Sequence, residues 1–279
     1  MPHATNGDVD LYYEVAGDES GGDGDAGGGR GGGSGGDRDG DPIPVAVCGE
    51  IGYGPWQWGW QHAALAGPRR LIVPATRGTA DSDAPPGPYA VGDLAADLEA
   101  VLADASVRSV DLVGVGLGGM VALRAAARSG RVRRLALVGT AAYGGGLDPD
   151  PLWADPDDPE ALESSLRAAV TDDFMSYQPD VVSRIVEWRA LEDADRDAWE
   201  AAREAVRDFD LTDRLYEVTD EALVIHGTED RVCPPAKGRE LAEGLPRGEF
   251  VGVDGAGHLA NVEASREVND RILAFFDGG

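Results

Sequence analysis

Leu112-Val113-Gly114-Val115-Gly116-Leu117-Gly118-Gly119 is the stretch on which the fold turns. It closes the strand-like segment Val110–Val115 and opens Leu117–Arg128, an alanine-rich segment of high helix propensity. A buried strand must therefore pass into a helix at Gly116. The stretch also satisfies G-x-G-x-x-G, which on a strand-to-helix turn can cradle a dinucleotide pyrophosphate. That reading needs an acid at the end of the next strand to hold the ribose. The corresponding residues are Leu137-Val138-Gly139-Thr140, and the motif lies in the middle of the strand order rather than on its first strand. A dinucleotide-binding protein is thus the weaker alternative.

On either side of this turn the chain alternates strand-like and helix-like segments. Val9–Val15, Pro44–Cys48, Arg70–Val73, Val132–Val138, Ala222–His226 and Phe250–Asp254 read as strands. Helical spacing appears in Val91–Leu102 (Leu94, Leu98, Val101, Leu102), Lys237–Leu245 and Glu263–Phe276. Repeated β-α units predict an α/β fold with a doubly wound, mostly parallel sheet. From Tyr143 to Asp213 the pattern changes to proline and aspartate turns followed by helices bearing Trp153, Phe174, Tyr177, Trp188 and Trp199. The expected organisation is a core of residues 1–142 and 214–279, with 143–213 as a helical cap over the carboxyl ends of the strands, where open α/β sheets place ligands. Residues 18–41 are half glycine with no large apolar side chain, and read as a disordered, mobile loop.

Five segments in order carry a family resemblance. Cys48-Gly49-Glu50-Ile51-Gly52, the loop Pro74–Ser82, the turn Gly114–Gly119, and Val224–Asp230 followed by Gly255-Ala256-Gly257-His258 together resemble the α/β-hydrolase superfamily, nearest its capped ester- and lactone-cleaving members. The resemblance implies an oxyanion segment at Cys48–Gly52, a nucleophile elbow G-x-S-x-G at Gly114–Gly118, a catalytic acid at Asp230 and a catalytic histidine at His258. It implies acyl transfer on a small carbonyl compound, with no cofactor and no metal.

The departure from the pattern is chemical. Gly116 stands at the nucleophile position and has no side chain, so a serine-type covalent step is unavailable. Cys48 replaces the oxyanion-segment histidine, Ala75 the loop aspartate and Ala80 a loop glycine. Glycine tolerates the strained elbow backbone, and its missing side chain is expected to leave a small cavity beside His258, fit for a water or part of a substrate. His258, oriented by Asp230, is then expected to act as general base, with the backbone N–H groups of Leu117 and Glu50 as oxyanion hole. A Glu50 carboxylate turned inward would disfavour an oxyanion there. His258 and Asp230 also admit a plainer reading as an inherited, hydrogen-bonded turn. His226 and Ser82 read as structural, and Cys48 reads as a buried strand-end thiol more readily than as a replacement nucleophile.

Composition narrows the partners. Asp and Glu number 51 against 24 Lys and Arg, a formal net charge of −27, and Lys237 is the single lysine. Such a field repels phosphate backbones, which disfavours nucleic acid. Together with the scarcity of lysine, it predicts adaptation to concentrated salt, where self-repulsion is screened. No apolar run reaches membrane-spanning length, the N-terminus lacks signal-peptide character, and two cysteines (Cys48 and Cys233) make no disulfide framework. A soluble, cytoplasmic protein with a small-molecule substrate is expected. Three functions remain open: His258–Asp230 base chemistry on an ester- or lactone-like carbonyl, a non-catalytic pseudoenzyme binding an apolar ligand or a protein partner, and residual hydrolysis of activated esters.

Overall fold

The computed structural model describes residues 2–17, 42–67 and 69–278. The expectation of a mobile loop at 18–41 lies outside the described residues.

The chain begins with β1 (His3–Asn6) and β2 (Val9–Ala16), an antiparallel pair. It continues through β3 (Val45–Cys48), α1 (Gly59–Ala66), β4 (Leu71–Pro74), α2 (Val91–Asp104), β5 (Val110–Val115), α3 (Leu117–Ala126) and β6 (Val132–Val138). Four helices follow: α4 (Pro159–Ala169), α5 (Asp172–Tyr177), α6 (Pro179–Glu192) and α7 (Arg196–Arg207). The chain ends with β7 (Glu221–Gly227), α8 (Pro235–Gly244), β8 (Gly248–Val253), α9 (Ala260–Glu263) and α10 (Ser265–Phe276).

The strands form one sheet in the order β1-β2-β4-β3-β5-β6-β7-β8. From β4 to β8 every neighbouring pair is parallel, while β2 joins β4 antiparallel. Every residue of β3 and β5 is buried, and apart from Asp111, whose carboxylate pairs with Arg69, both strands are apolar rather than alternating. Sequence periodicity identified the central strands but not β1 or α1. The first is too short to show alternation, and the second is a short helix that runs on from the tryptophan-rich segment Pro55–Trp58.

Between β6 and β7 the chain makes helices, as the turn chemistry predicts. Asp158, Thr171 and Asp195 each accept hydrogen bonds from first-turn amides, and α4 and α6 both start on proline. α7 buries Ala198, Trp199, Ala201, Ala202, Ala205 and Val206. The inserted helices are tied together by the buried Arg189, which donates to Leu152 O, Leu162 O and Ser165 Oγ and pairs with Asp193 at 2.7 Å. Among the described residues no helix is long and apolar enough to cross a membrane.

Candidate active site

Gly116 links β5 to α3 with φ +52° and ψ −113°, a backbone that L side chains adopt only under strain. The expected cavity beside it is absent. A Cβ added to Gly116 would overlap the carboxylate of Glu50, which has turned inward and fills the space a nucleophile side chain would occupy.

The loop after β3 explains why Glu50 points there. The Glu50 N–H donates to Gln57 Oε1 at 2.9 Å, and Gln57 Nε2 donates back to Tyr53 O and Gly54 O. Gln57 is fully buried and wraps the segment into a tight turn. The Glu50 amide is therefore committed, which corrects its expected place in the oxyanion hole. The amides that do converge are Ile51 N–H, 2.6 Å from Glu50 Oε1, and Leu117 N–H, 3.2 Å from the same oxygen. Both belong to the expected region, but they hold a side-chain oxygen of the protein itself. Leu117 opens α3, so the helix dipole adds to the attraction.

The other Glu50 oxygen, Oε2, lies 2.5 Å from His258 Nε2. His258 Nδ1 lies 2.9 Å from Asp230 Oδ2, and Asp230 Oδ1 accepts from Val232 N–H and Cys233 N–H at 2.9 and 2.8 Å. Elements far apart in sequence thus place a carboxylate, an imidazole and a second carboxylate in line. Gly139, at the end of β6 with φ +56°, leaves room for the ring; a Cβ there would come within 3.0 Å of His258 Nδ1. Glu263 holds the histidine turn from below, accepting from Gly257 N–H at 2.8 Å.

All three groups are buried: Glu50 is 1%, His258 0% and Asp230 6% exposed. Burial alone would strip His258 of its proton. The attraction of Asp230, and then of Glu50, outweighs it and pushes the imidazole up to about 10. Burial likewise opposes charge on Asp230, but His258 and His226 hold its carboxyl well below the usual carboxylate range. At neutral pH the site therefore holds an imidazolium between two acidic side chains. The expectation of a free, neutral base is replaced by a proton-loaded histidine.

A family model described as "Alpha/beta hydrolase family" matches residues 45–271. The chain belongs to that family. A curated relative from Azorhizobium caulinodans, named for carbamate hydrolysis, is 26% identical over 99% of this chain and 98% of its own length. A 3-oxoadipate enol-lactonase from Acinetobacter baylyi is 24% identical over 78% of this chain and 82% of its own. Among solved structures, the enol-lactonase from Burkholderia xenovorans superposes with a TM-score of 0.82 and 26% identity, covering 99% of this chain and all of that one.

Within this alpha/beta hydrolase, the glycine-rich turn is an elbow and not a dinucleotide cradle. Glu50 occupies the N-terminus of α3, where a pyrophosphate would have to lie and would be repelled. Cys48 is buried, which pushes its thiol up to about 12 and leaves no thiolate to act as nucleophile. It lines an apolar cavity of about 40 Å³ with Val47, Leu98, Val101, Leu117 and Val121. That space lies behind α3, where neither Glu50 nor His258 contributes to its lining. Ser82 is structural: its Oγ accepts from Tyr12 N–H and donates to Ala75 O. His226 Nε2 donates to Cys233 O at 2.7 Å and lies 3.2 Å from Asp230 Oδ2, so it supports the acid as well as the fold.

The sequence raises an inward Glu50 carboxylate only as an obstacle to an oxyanion, and it does not single out Ile51 or Gln57 individually. One signal was present: an acidic residue in the oxyanion segment together with a side chain missing from the elbow. Only their distance in space shows that one fills the room the other leaves.

Proposed function

We propose that this alpha/beta hydrolase cleaves a small carbonyl compound, an ester, lactone or carbamate, with Glu50, His258 and Asp230 moving protons in place of a serine-based triad. The observation that carries this reading is the 2.5 Å contact between Glu50 Oε2 and His258 Nε2 in the space the elbow leaves open at Gly116. A carboxylate there restores what glycine removed, an oxygen within reach of an imidazole that an acid orients. The relatives named for carbamate and enol-lactone hydrolysis support this substrate class.

His258 begins the cycle charged and so acts first as an acid, giving its proton to the leaving group. Once neutral, and still oriented by Asp230, it can take a proton from water.

Burial of Glu50 and His258 supports a second reading, a pseudoenzyme whose site is closed by its own carboxylate. Turnover separates the two. Activated phenyl esters, enol-lactones and carbamates are offered to the natural protein, His258→Ala and Glu50→Gln in multi-molar KCl. Catalysis that falls about 10²–10⁴-fold in both variants supports the enzyme. Equal rates in all three proteins, or none in any, overturn it in favour of the closed pseudoenzyme.

A further inference from the structure

An oxyanion hole reveals which carbonyl it serves by where its donors point. Here Ile51 N–H and Leu117 N–H both meet Glu50 Oε1, at 2.6 and 3.2 Å, and His258 Nε2 meets Oε2. The donors thus surround the carboxyl carbon of Glu50 and not an empty space for a substrate oxygen. Charge that develops on Oε1 when that carbon becomes tetrahedral would be stabilised at once, by groups already in place.

We propose that Glu50 is the nucleophile and that hydrolysis runs through a mixed anhydride between Glu50 and the acyl group of the substrate. This rests on the function proposed above and adds the covalent step. Glu50 Oε2 bonds to the substrate's carbonyl carbon, and the bond from that carbon to the alkoxide, enolate or amine breaks. The leaving group carries away the bonding pair and takes the proton of the His258 imidazolium. Having given its proton to the leaving group, His258 is neutral and still oriented by Asp230. Neutral His258 takes a proton from water as the water oxygen attacks Cδ of Glu50. The tetrahedral carbon carries its negative oxygen, Oε1, between the Ile51 and Leu117 amides. Collapse expels the substrate's acyl group as a carboxylate, which leaves with the remaining water proton as the free acid. Glu50 recovers its charge and His258 its proton. The sum is acyl compound plus water giving acid plus leaving group, and one Glu50 oxygen has come from water.

That oxygen is the test. The natural protein hydrolyses p-nitrophenyl acetate in oxygen-18 water, under single and then multiple turnover, and the peptide bearing Glu50 is weighed after digestion. His258→Ala and substrate-free protein run alongside. The expected result is one heavy oxygen on Glu50 after a single turnover and still one after many, because Oε1 stays between the Ile51 and Leu117 amides while the other position exchanges, with none in either control. Glu50→Gln is expected to lose turnover to background, and hydroxylamine added during turnover should convert Glu50 to a hydroxamate. Turnover that depends on His258 but leaves Glu50 unlabelled would overturn the nucleophile while the proposed function stands. No turnover above His258→Ala overturns both.

Discussion

Gly116 and Glu50 are complementary: one has no side chain, and the carboxylate of the other fills the space that a side chain there would need. The two residues are distant in sequence and belong to different β-α turns, yet a heavy atom on the first is excluded by the second. Neither substitution is intelligible alone. Glycine alone would leave a hole beside a buried histidine, and glutamate alone would collide with an ordinary elbow side chain.

Placing a serine at position 116 should therefore harm the protein unless Glu50 is removed too. Gly116→Ser places a Cβ on the Glu50 carboxylate and imposes a strained φ, so a loss of about 1–3 kcal/mol or more is expected. Glu50→Gly alone also destabilises, because the imidazolium loses a partner. The double variant Gly116→Ser/Glu50→Gly should be more stable than the two single losses predict. Urea unfolding of all four proteins measures this as a cycle. Additive losses would show that the residues do not compete for one space.

Replacing His258 should cost more than its packing. His258→Gln keeps the bulk of the ring but leaves Glu50 and Asp230 without the cation between them, a buried pair broken on one side, at about 3–5 kcal/mol. The denaturant midpoint at pH 7 reports it, and a change under 1 kcal/mol would mean that the two acids are already relieved by other partners.

Stability should also fall at alkaline pH through this residue. The folded imidazole is raised from 6.5 to about 10, so its contribution is fully present below about 6.5 and is lost as pH climbs through about 10. Denaturation midpoints measured between these limits should decline in the natural protein and decline less in His258→Gln. Parallel slopes would place the titration elsewhere.

The Glu50 loop should loosen when its contact with the inserted helices is cut. Asp193 accepts from Gly54 N–H at 3.1 Å and Trp56 Nε1–H at 2.7 Å, and Ala194 N–H donates to Gly52 O. Asp193→Asn weakens these charge-assisted bonds and the pairing with Arg189, so amide exchange across Glu50–Trp58 should accelerate. Unchanged protection there would assign the hold on the loop to Gln57 alone.

Salt should stabilise this protein strongly. At a formal charge of −27, raising KCl to about 1 M shortens the screening length to about 3 Å and relieves self-repulsion. The thermal midpoint should climb steadily with KCl; a flat response would make the acidic composition incidental.

Much of this was legible before any coordinates. The apolar stretches Leu112–Val115 and Leu135–Val138 marked β5 and β6 because parallel strands are buried on both faces, and proline and aspartate turns marked the inserted helices. The spacing of Asp230 and His258 in a known motif order brought both to one place, and they do meet. The oxyanion hole was only half legible. Leu117 follows from its position at the helix start, but which amide of the oxyanion segment is free depends on Gln57, a residue with no signature of its own.

By itself the sequence determined the α/β architecture, the inserted helices and the absence of a nucleophile at Gly116, because these are properties of periodicity, turn chemistry and residue type. What fills the space beside Gly116 was decided by the tertiary structure alone. Glu50 and His258 approach within 2.5 Å through strands that are far apart in the chain, and the direction of a carboxylate is set by packing and by hydrogen bonds to Ile51 and Leu117. Local sequence fixes where a backbone turns. Which side chain fills the space beside that turn is a contest among distant residues, settled only when the core closes around them.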